Sequence, residues 1–218
     1  TLMKHFGALV GPKTKLFHLP MTVNINRFTP DRFTQEQKNE DPYVGFIGSF
    51  SNSKEGIDVL INAFDKVREK YPKVKLQLAG GNHSDIPGQK ELIQKLNLED
   101  TVHYTGSLRR GEVPQFLEKA KVLVMARPKS KQAEGGFPTK LGEYLSTGNP
   151  VVVTRVGEIT NYLEDRKSCF FVEPSDVDSL VNALCDALED SEKTVHVGMG
   201  GRQVAESTFN AEVQADRL

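Results

Sequence analysis

The residues best suited by type and spacing to do chemistry lie in one segment, Glu134-Gly-Gly-Phe-Pro-Thr-Lys-Leu-Gly-Glu143-Tyr-Leu-Ser-Thr-Gly-Asn-Pro-Val-Val-Val153. Two glycines open it, Pro138 begins a helix, Gly148 stops that helix, and a β-branched run follows as a buried strand. Proline suits a helix start because its missing N–H would have had no partner there. The first turn leaves unpaired backbone amides and the positive end of the helix dipole, a natural seat for phosphate. At about 100° per residue, Leu141, Tyr144 and Leu145 share one face, while Thr139, Lys140, Glu143 and Thr147 share the other. A lysine there can offset phosphate charge. A carboxylate one turn along can accept two hydrogen bonds from the vicinal hydroxyls of a ribose. On spacing alone the simpler reading is a solvent-facing Lys140/Glu143 pair at i,i+3, worth about 0.2–0.5 kcal/mol.

Further segments could join such a site. Val44-Gly-Phe-Ile-Gly-Ser-Phe-Ser-Asn-Ser-Lys-Glu-Gly-Ile-Asp-Val-Leu60 reads as strand, polar loop and helix, with Lys54 in the loop. Val102-His-Tyr-Thr-Gly-Ser-Leu108 reads as a strand running into a turn, and Leu78-Ala-Gly-Gly-Asn82 as a tight turn after a strand. Taken singly, each is an ordinary βα connection with solvated side chains.

The elements that must position these residues form a repeated strand–helix pattern. Short apolar runs at Lys15–Leu19, Tyr43–Ile47, Lys75–Leu78, Val102–Tyr104, Val122–Met125, Val151–Val153 and Cys169–Val172 predict strands covered on both faces. Ile57, Leu60, Ile61, Phe64, Val67 and Tyr71 form one helical stripe, which Pro72 stops. Val113, Phe116, Leu117 and Ala120 form a second, and Val177, Leu180, Val181, Leu184 and Leu188 a third, with Ser175 and Asp178 as its capping pair. The pattern predicts an α/β fold: a Rossmann-like parallel sheet with helices on both faces. Residues 1–41 read as a lead-in strand and hinge, with Gln35–Asp41 as linker; 42–206 form the core domain, and 207–218 begin a last helix. Gly198, Gly200 and Gly201 predict a kink or loop late in the chain.

Phe137-Pro-Thr-Lys-Leu-Gly-Glu-Tyr-Leu-Ser-Thr-Gly-Asn-Pro-Val-Val152 resembles the signature of the group 1 (family 4) retaining glycosyltransferases. That resemblance implies the C-terminal, donor-binding half of the fold with two facing Rossmann-like domains, known as GT-B. It implies that Glu143 holds the donor ribose and that the helix start at Phe137, Pro138, Thr139 and Lys140 holds the diphosphate. The family signature has two glutamates with seven residues between them, whereas Glu134 and Glu143 have eight residues between them and Gly135 stands at the first position. Glu134 is carried over as the residue near the transferred sugar, with Lys54 as the catalytic-side cation. The segment from Val44 resembles the family's first βα turn, where an arginine and a lysine bind the pyrophosphate. Lys54 matches the lysine, Ser49 stands at the arginine's place, and Arg127 is one candidate to replace that arginine. The turn at Ser107 and Leu108 resembles the one whose backbone reads the nucleobase. His18–Phe28 resembles the interdomain crossover, and Ser207–Leu218 the final helix that returns across the cleft.

The activity implied is retaining transfer of a hexosyl unit from a nucleoside diphosphate to an acceptor hydroxyl, as in polysaccharide biosynthesis. Preorganised donors would stabilise the departing diphosphate, with no metal required. The expected partners are the nucleotide sugar and, through an N-terminal domain, an acceptor glycan or lipid-linked glycan, with peripheral membrane contact of the full-length protein. Two other readings stay open. A nucleotide-sugar epimerase uses the same cleft, with carboxylates near the sugar ring, and a non-catalytic module could bind a nucleotide or dock a protein.

Composition narrows the classes further. A net charge of -1, with no basic block, argues against nucleic acid. Hydrophobic residues at 38% are enough for a buried core, and no apolar run nears the roughly 20 residues a membrane span needs. Cys169 and Cys185 have no metal-site spacing and predict reduced thiols in a cytoplasmic protein. His5, His18, His83, His103 and His196 show no ligand spacing, so no metal site is predicted, and His103 reads as a half-buried structural residue within a strand pattern. Asp176-Val-Asp178 has the form of a DxD metal–nucleotide motif but opens a helix, where capping accounts for it. The absence of GxGxxG removes the main support for a nicotinamide cofactor.

Overall fold

A computed structural model describes residues 6–217 except 12, 82 and 190; His5 and Asn82 therefore lie outside the described residues. In chain order the elements are α1 (Gln35–Glu40), β1 (Tyr43–Ile47), α2 (Asn52–Glu55), α3 (Ile57–Lys70), β2 (Lys75–Ala79), α4 (Ile86–Lys95), β3 (Val102–Gly106) and α5 (Val113–Lys119). There follow β4 (Val122–Met125), α6 (Lys131–Gly135), α7 (Thr139–Ser146), β5 (Val151–Thr154), β6 (Phe170–Val172), α8 (Val177–Leu188), α9 (Glu192–Val204) and α10 (Ala211–Ala215).

All described strand pairs are parallel and run in the order β3-β2-β1-β4-β5-β6. The period-two alternation of each strand feeds two cores, one on each face of the sheet. Val44, Phe46, Val122, Val124 and Val152 pack with α3 and α8. Tyr43, Leu123, Met125, Val151 and Val153 pack with α5 and α7 on the other side. Phe46, Phe64, Leu60 and Leu141 are fully buried. Each such side chain contributes about 1.5–3 kcal/mol of transfer free energy. Helices on both faces of a parallel sheet are therefore what this alternation stabilises.

Several local expectations are corrected. Lys15–Leu19 is not a strand. It is apolar enough, but no described strand offers it a ladder, and Leu16, Phe17 and Leu19 are exposed. Gln35–Glu40 is a helix rather than a linker. Thr34 and Gln37 close a reciprocal capping box at its start, and the Lys38 ammonium donates to Asn149 Oδ1 at 2.6 Å inside the protein. Polar composition concealed a helix held by its cap and by one buried contact. Asp176, not Ser175 with Asp178, caps α8 by accepting from the Ser179 amide at 2.9 Å; Asp178 pairs with Lys66.

The late glycines break nothing, since α9 runs unbroken from Glu192 to Val204. A Cβ on Gly198 would collide with the Gly148 carbonyl, and one on Gly200 with the Lys167 carbonyl. They are small because the helix crosses other backbone closely. After Phe209 the chain pauses at Asn210, whose backbone bridges Val23 of the hinge, and α10 then begins.

Candidate active site

In this strand order the chain direction of the sheet's growth reverses between β1 and β4. Open parallel sheets bind ligands in the crevice that such a reversal leaves beyond the strands' C-terminal ends. The loops at that edge lie side by side: the Gly48 amide donates to Ala79 O and the Gly80 amide to Gly106 O, each at 2.9 Å. Gly56 adopts φ +67°, and a Cβ there would strike the Ala126 carbonyl, so glycine lets the β1 and β4 loops touch.

The loop after β1 is fixed from beneath. Gln89, 1% exposed, donates through Nε2 to Phe50 O and Asn52 Oδ1, both at 2.6 Å, and accepts from the Tyr104 hydroxyl at 2.9 Å. The Asn52 amide donates to Asp85 at 2.8 Å. Ser49 thus rides on a loop with little freedom and Lys54 on α2 behind it, the Lys54 side chain exposed.

Pro138 is the N-cap of α7 and Thr139 its first residue, one position later than the sequence suggests. No side chain caps this head among the described residues, and Thr139 is exposed. The apolar face is as expected: Leu141, Tyr144 and Leu145 are buried. The Tyr144 hydroxyl accepts from the Ile47 amide at 2.8 Å, tying α7 to β1, and burial raises its pKa well above the usual phenol range.

The opposite face is not uniformly solvated, and here the helical-wheel expectation is corrected. Thr147 is buried, its hydroxyl donating to Tyr144 O at 2.7 Å in the closing turn. Lys140 folds inward: its long stem carries the ammonium under Gly48, where any Cβ would clash with it. Its Nζ sits 2.8 Å from Glu55 and 4.6 Å from the Phe46 ring centroid. Glu55 is only 3% exposed. Burial lowers the pKa of Lys140, and the Glu55 carboxylate opposes that shift.

Arg127, on the β4 loop, completes the cluster. It is 5% exposed, and its Nε and Nη1 have no hydrogen-bond partner among the described residues. Burial lowers its pKa, with Glu55 again opposing. A buried guanidinium left unsatisfied is costly, about 1–3 kcal/mol per group. A phosphate oxygen that reached those nitrogens would satisfy them.

Glu143 lies further along α7 with its side chain 25% exposed. Arg27, from the hinge, donates to Glu143 Oε1 at 2.7 Å through one nitrogen and to Arg110 O at 2.9 Å through the other. This arginine therefore joins the candidate ribose carboxylate to the loop that carries Ser107 and Leu108. Phe137 turns away from the helix head into an aromatic group with Tyr162 and Phe209, at centroid distances of 5.5 and 5.4 Å. Glu134 is not drawn into the cluster: it lies on α6, more than half exposed, with Lys129 4.0 Å away.

Sequence reasoning missed Glu55 and Arg27. Glu55 ends the short helix α2 and Arg27 a turn of the hinge, and the signal that marks each is a long-range partner. Among the described residues no helix is long and apolar enough to cross a membrane.

Comparison with known proteins gives a consistent result. The family profile described as "Glycosyl transferases group 1" matches residues 28–204. The chain is 28% identical over 222 residues to the GDP-mannose-dependent alpha-(1-6)-phosphatidylinositol monomannoside mannosyltransferase of Mycolicibacterium smegmatis, covering 98% of this chain and 57% of that protein. It thus spans little more than half the length of such relatives. Among solved structures, Anabaena HepE in complex with UDP superposes with a TM-score of 0.76 at 21% identity, over 90% of this chain and 54% of that one. The C-terminal domain of the group 1 glycosyl transferase LpcC from Francisella tularensis gives 0.74 at 20% identity, over 87% of this chain and 99% of that domain.

Proposed function

This chain belongs to the group 1 glycosyl transferases, and from that membership we propose that it binds the nucleoside-diphosphate sugar in a retaining hexosyltransferase. The observation that carries the proposal is the buried Arg127 guanidinium, unsatisfied on two nitrogens, beside Lys140 at the strand-order reversal. Glu55 offsets only one of the two buried cations in full, and a desolvated guanidinium with unsatisfied nitrogens is an expensive arrangement unless an anion comes to meet it.

In this reading the diphosphate lies across the Gly48–Ser49 loop and the head of α7. The amides of Thr139 and Lys140 receive its oxygens, and Arg127, Lys140 and Lys54 offset its charge. As the sugar departs, negative charge builds on the diphosphate, and donors already in place stabilise it without reorganising. The positive charge comes from side chains, so no metal is invoked. Glu143 accepts from the ribose hydroxyls, and the backbone at Ser107 and Leu108 faces the base. That role for Glu143 agrees with its tie through Arg27 to the base-side loop. Glu134 stands outside the cluster and is proposed only as a residue on the sugar side. The acceptor, a glycan or lipid-linked glycan, would be supplied through a partner domain of the kind the longer relatives have room for.

A thermal-shift panel of GDP-mannose, UDP-glucose and ADP-glucose tests this. One of them at 100-fold above its Kd should stabilise the chain by about 2.7 kcal/mol. If none shifts the melting temperature, the donor reading is wrong.

A further inference from the structure

We infer that Glu55 is a positioning residue of the donor site, whose buried carboxylate holds the charged Lys140 ammonium beneath Gly48, under the seat of the diphosphate. The inference rests on the donor-site reading above.

The geometry is specific. The Glu55 and Lys140 side chains are 3% and 17% exposed, with Oε2 and Nζ 2.8 Å apart. They come from α2 and α7, elements whose neighbours are tied by apolar packing in the two cores. An apolar pair of similar volume would serve a merely structural tie as well or better, because the desolvation of a buried ion pair offsets much of its attraction. An ion pair is retained sensibly where one of its charges has a use. Gly48 points the same way, since a side chain there would occupy the space the ammonium fills.

The groups facing Lys140 leave Glu55 as its support. Lys54 from α2 and Arg127 from the β4 loop are positive and disfavour its charge. Tyr144, on its own helix, stays a neutral phenol, and β1 presents the face of the Phe46 ring. Of the charged groups acting on Lys140, Glu55 is the one that favours the protonated form, through its charge 2.8 Å from Nζ. Without that carboxylate, a desolvated lysine beside two cations loses its proton more readily, and the diphosphate meets a weaker site.

The test compares wild type, Glu55→Gln, Lys140→Met and the double variant, with GDP-mannose and UDP-glucose as probes, whose diphosphate keeps its charge across the neutral range. In Glu55→Gln the affinity should fall about tenfold near pH ~8.5 and return to within about twofold of wild type near pH ~6, as Lys140 regains its proton. Lys140→Met should be weak at both, and the double variant no weaker than Lys140→Met alone. A readout without ligand runs beside it: the Lys140 Nζ titration, followed by 15N-lysine spectra, should move down by about one pH unit or more in Glu55→Gln.

Unchanged or tighter binding by Glu55→Gln, a loss equal at both pH values, or a loss that persists on the Lys140→Met background would overturn the inference. Wild-type binding with an unshifted Lys140 titration removes this inference alone. A wild-type chain that binds neither nucleotide sugar removes the donor reading, and the inference goes with it.

Discussion

Replacing Arg127 by Met should weaken nucleotide-sugar binding by about 100-fold while leaving the empty protein as stable as before, or more so. The two halves of that expectation have one cause. Nε and Nη1 of this guanidinium are buried without hydrogen-bond partners, and the side chain is 5% exposed. In the empty state the charge is a liability, so a methionine of similar length relieves an unmet desolvation cost of about 1–3 kcal/mol. In the bound state a charge-assisted hydrogen bond to phosphate is worth about 1.5–3 kcal/mol, and the fork geometry of arginine can make two. Calorimetric titration and urea unfolding read the halves separately. A variant that binds normally, or one that unfolds early, would mean that Arg127 is a structural residue.

Glu143→Ala should separate the ribose from the phosphates. The variant should lose about 10- to 100-fold in affinity for a nucleotide sugar, from two hydrogen bonds to a carboxylate. It should bind inorganic pyrophosphate as the wild type does. Its stability should change little, because the side chain is 25% exposed and the ion pair with Arg27 is partly open to solvent. Equal losses for nucleotide and pyrophosphate would place Glu143 among the phosphate contacts instead. No loss at all would leave it as the partner of Arg27 and nothing more.

How much of this was legible in the sequence depends on the range of the interaction concerned. Local periodicity was enough for β1, β4 and β5, whose residues are buried on both faces, and for the stripes of α3 and α8. It failed at Lys15–Leu19 because a strand needs a partner as well as composition, and the sheet ends at β3 and β6 without reaching that segment. It failed at Gln35–Glu40 because the stabilising contact, Lys38 with Asn149, lies far along the chain. Pro138 and helical spacing placed the head of α7 to within one residue, while spacing alone left Glu143 as half of a solvent-facing pair with Lys140. The inward turn of Lys140 could not be read from either. It depends on Glu55, on the space above Gly48 and on the Phe46 ring, which the fold brings together from β1, its loop and α2. Arg127 could be named as a stand-in cation, but its unsatisfied nitrogens emerge only once the chain is packed.

The most direct measurement is an amide NMR titration of the 15N-labelled chain with whichever nucleotide sugar binds. The largest shifts should fall on Gly48, Ser49, Thr139 and Lys140, with a second group at Ser107 and Leu108. Saturable binding whose shifts instead gather at the opposite end of the strands, around Lys38 and Asn149, or that leaves the Thr139 and Lys140 amides unmoved, would contradict a diphosphate seated at the head of this helix.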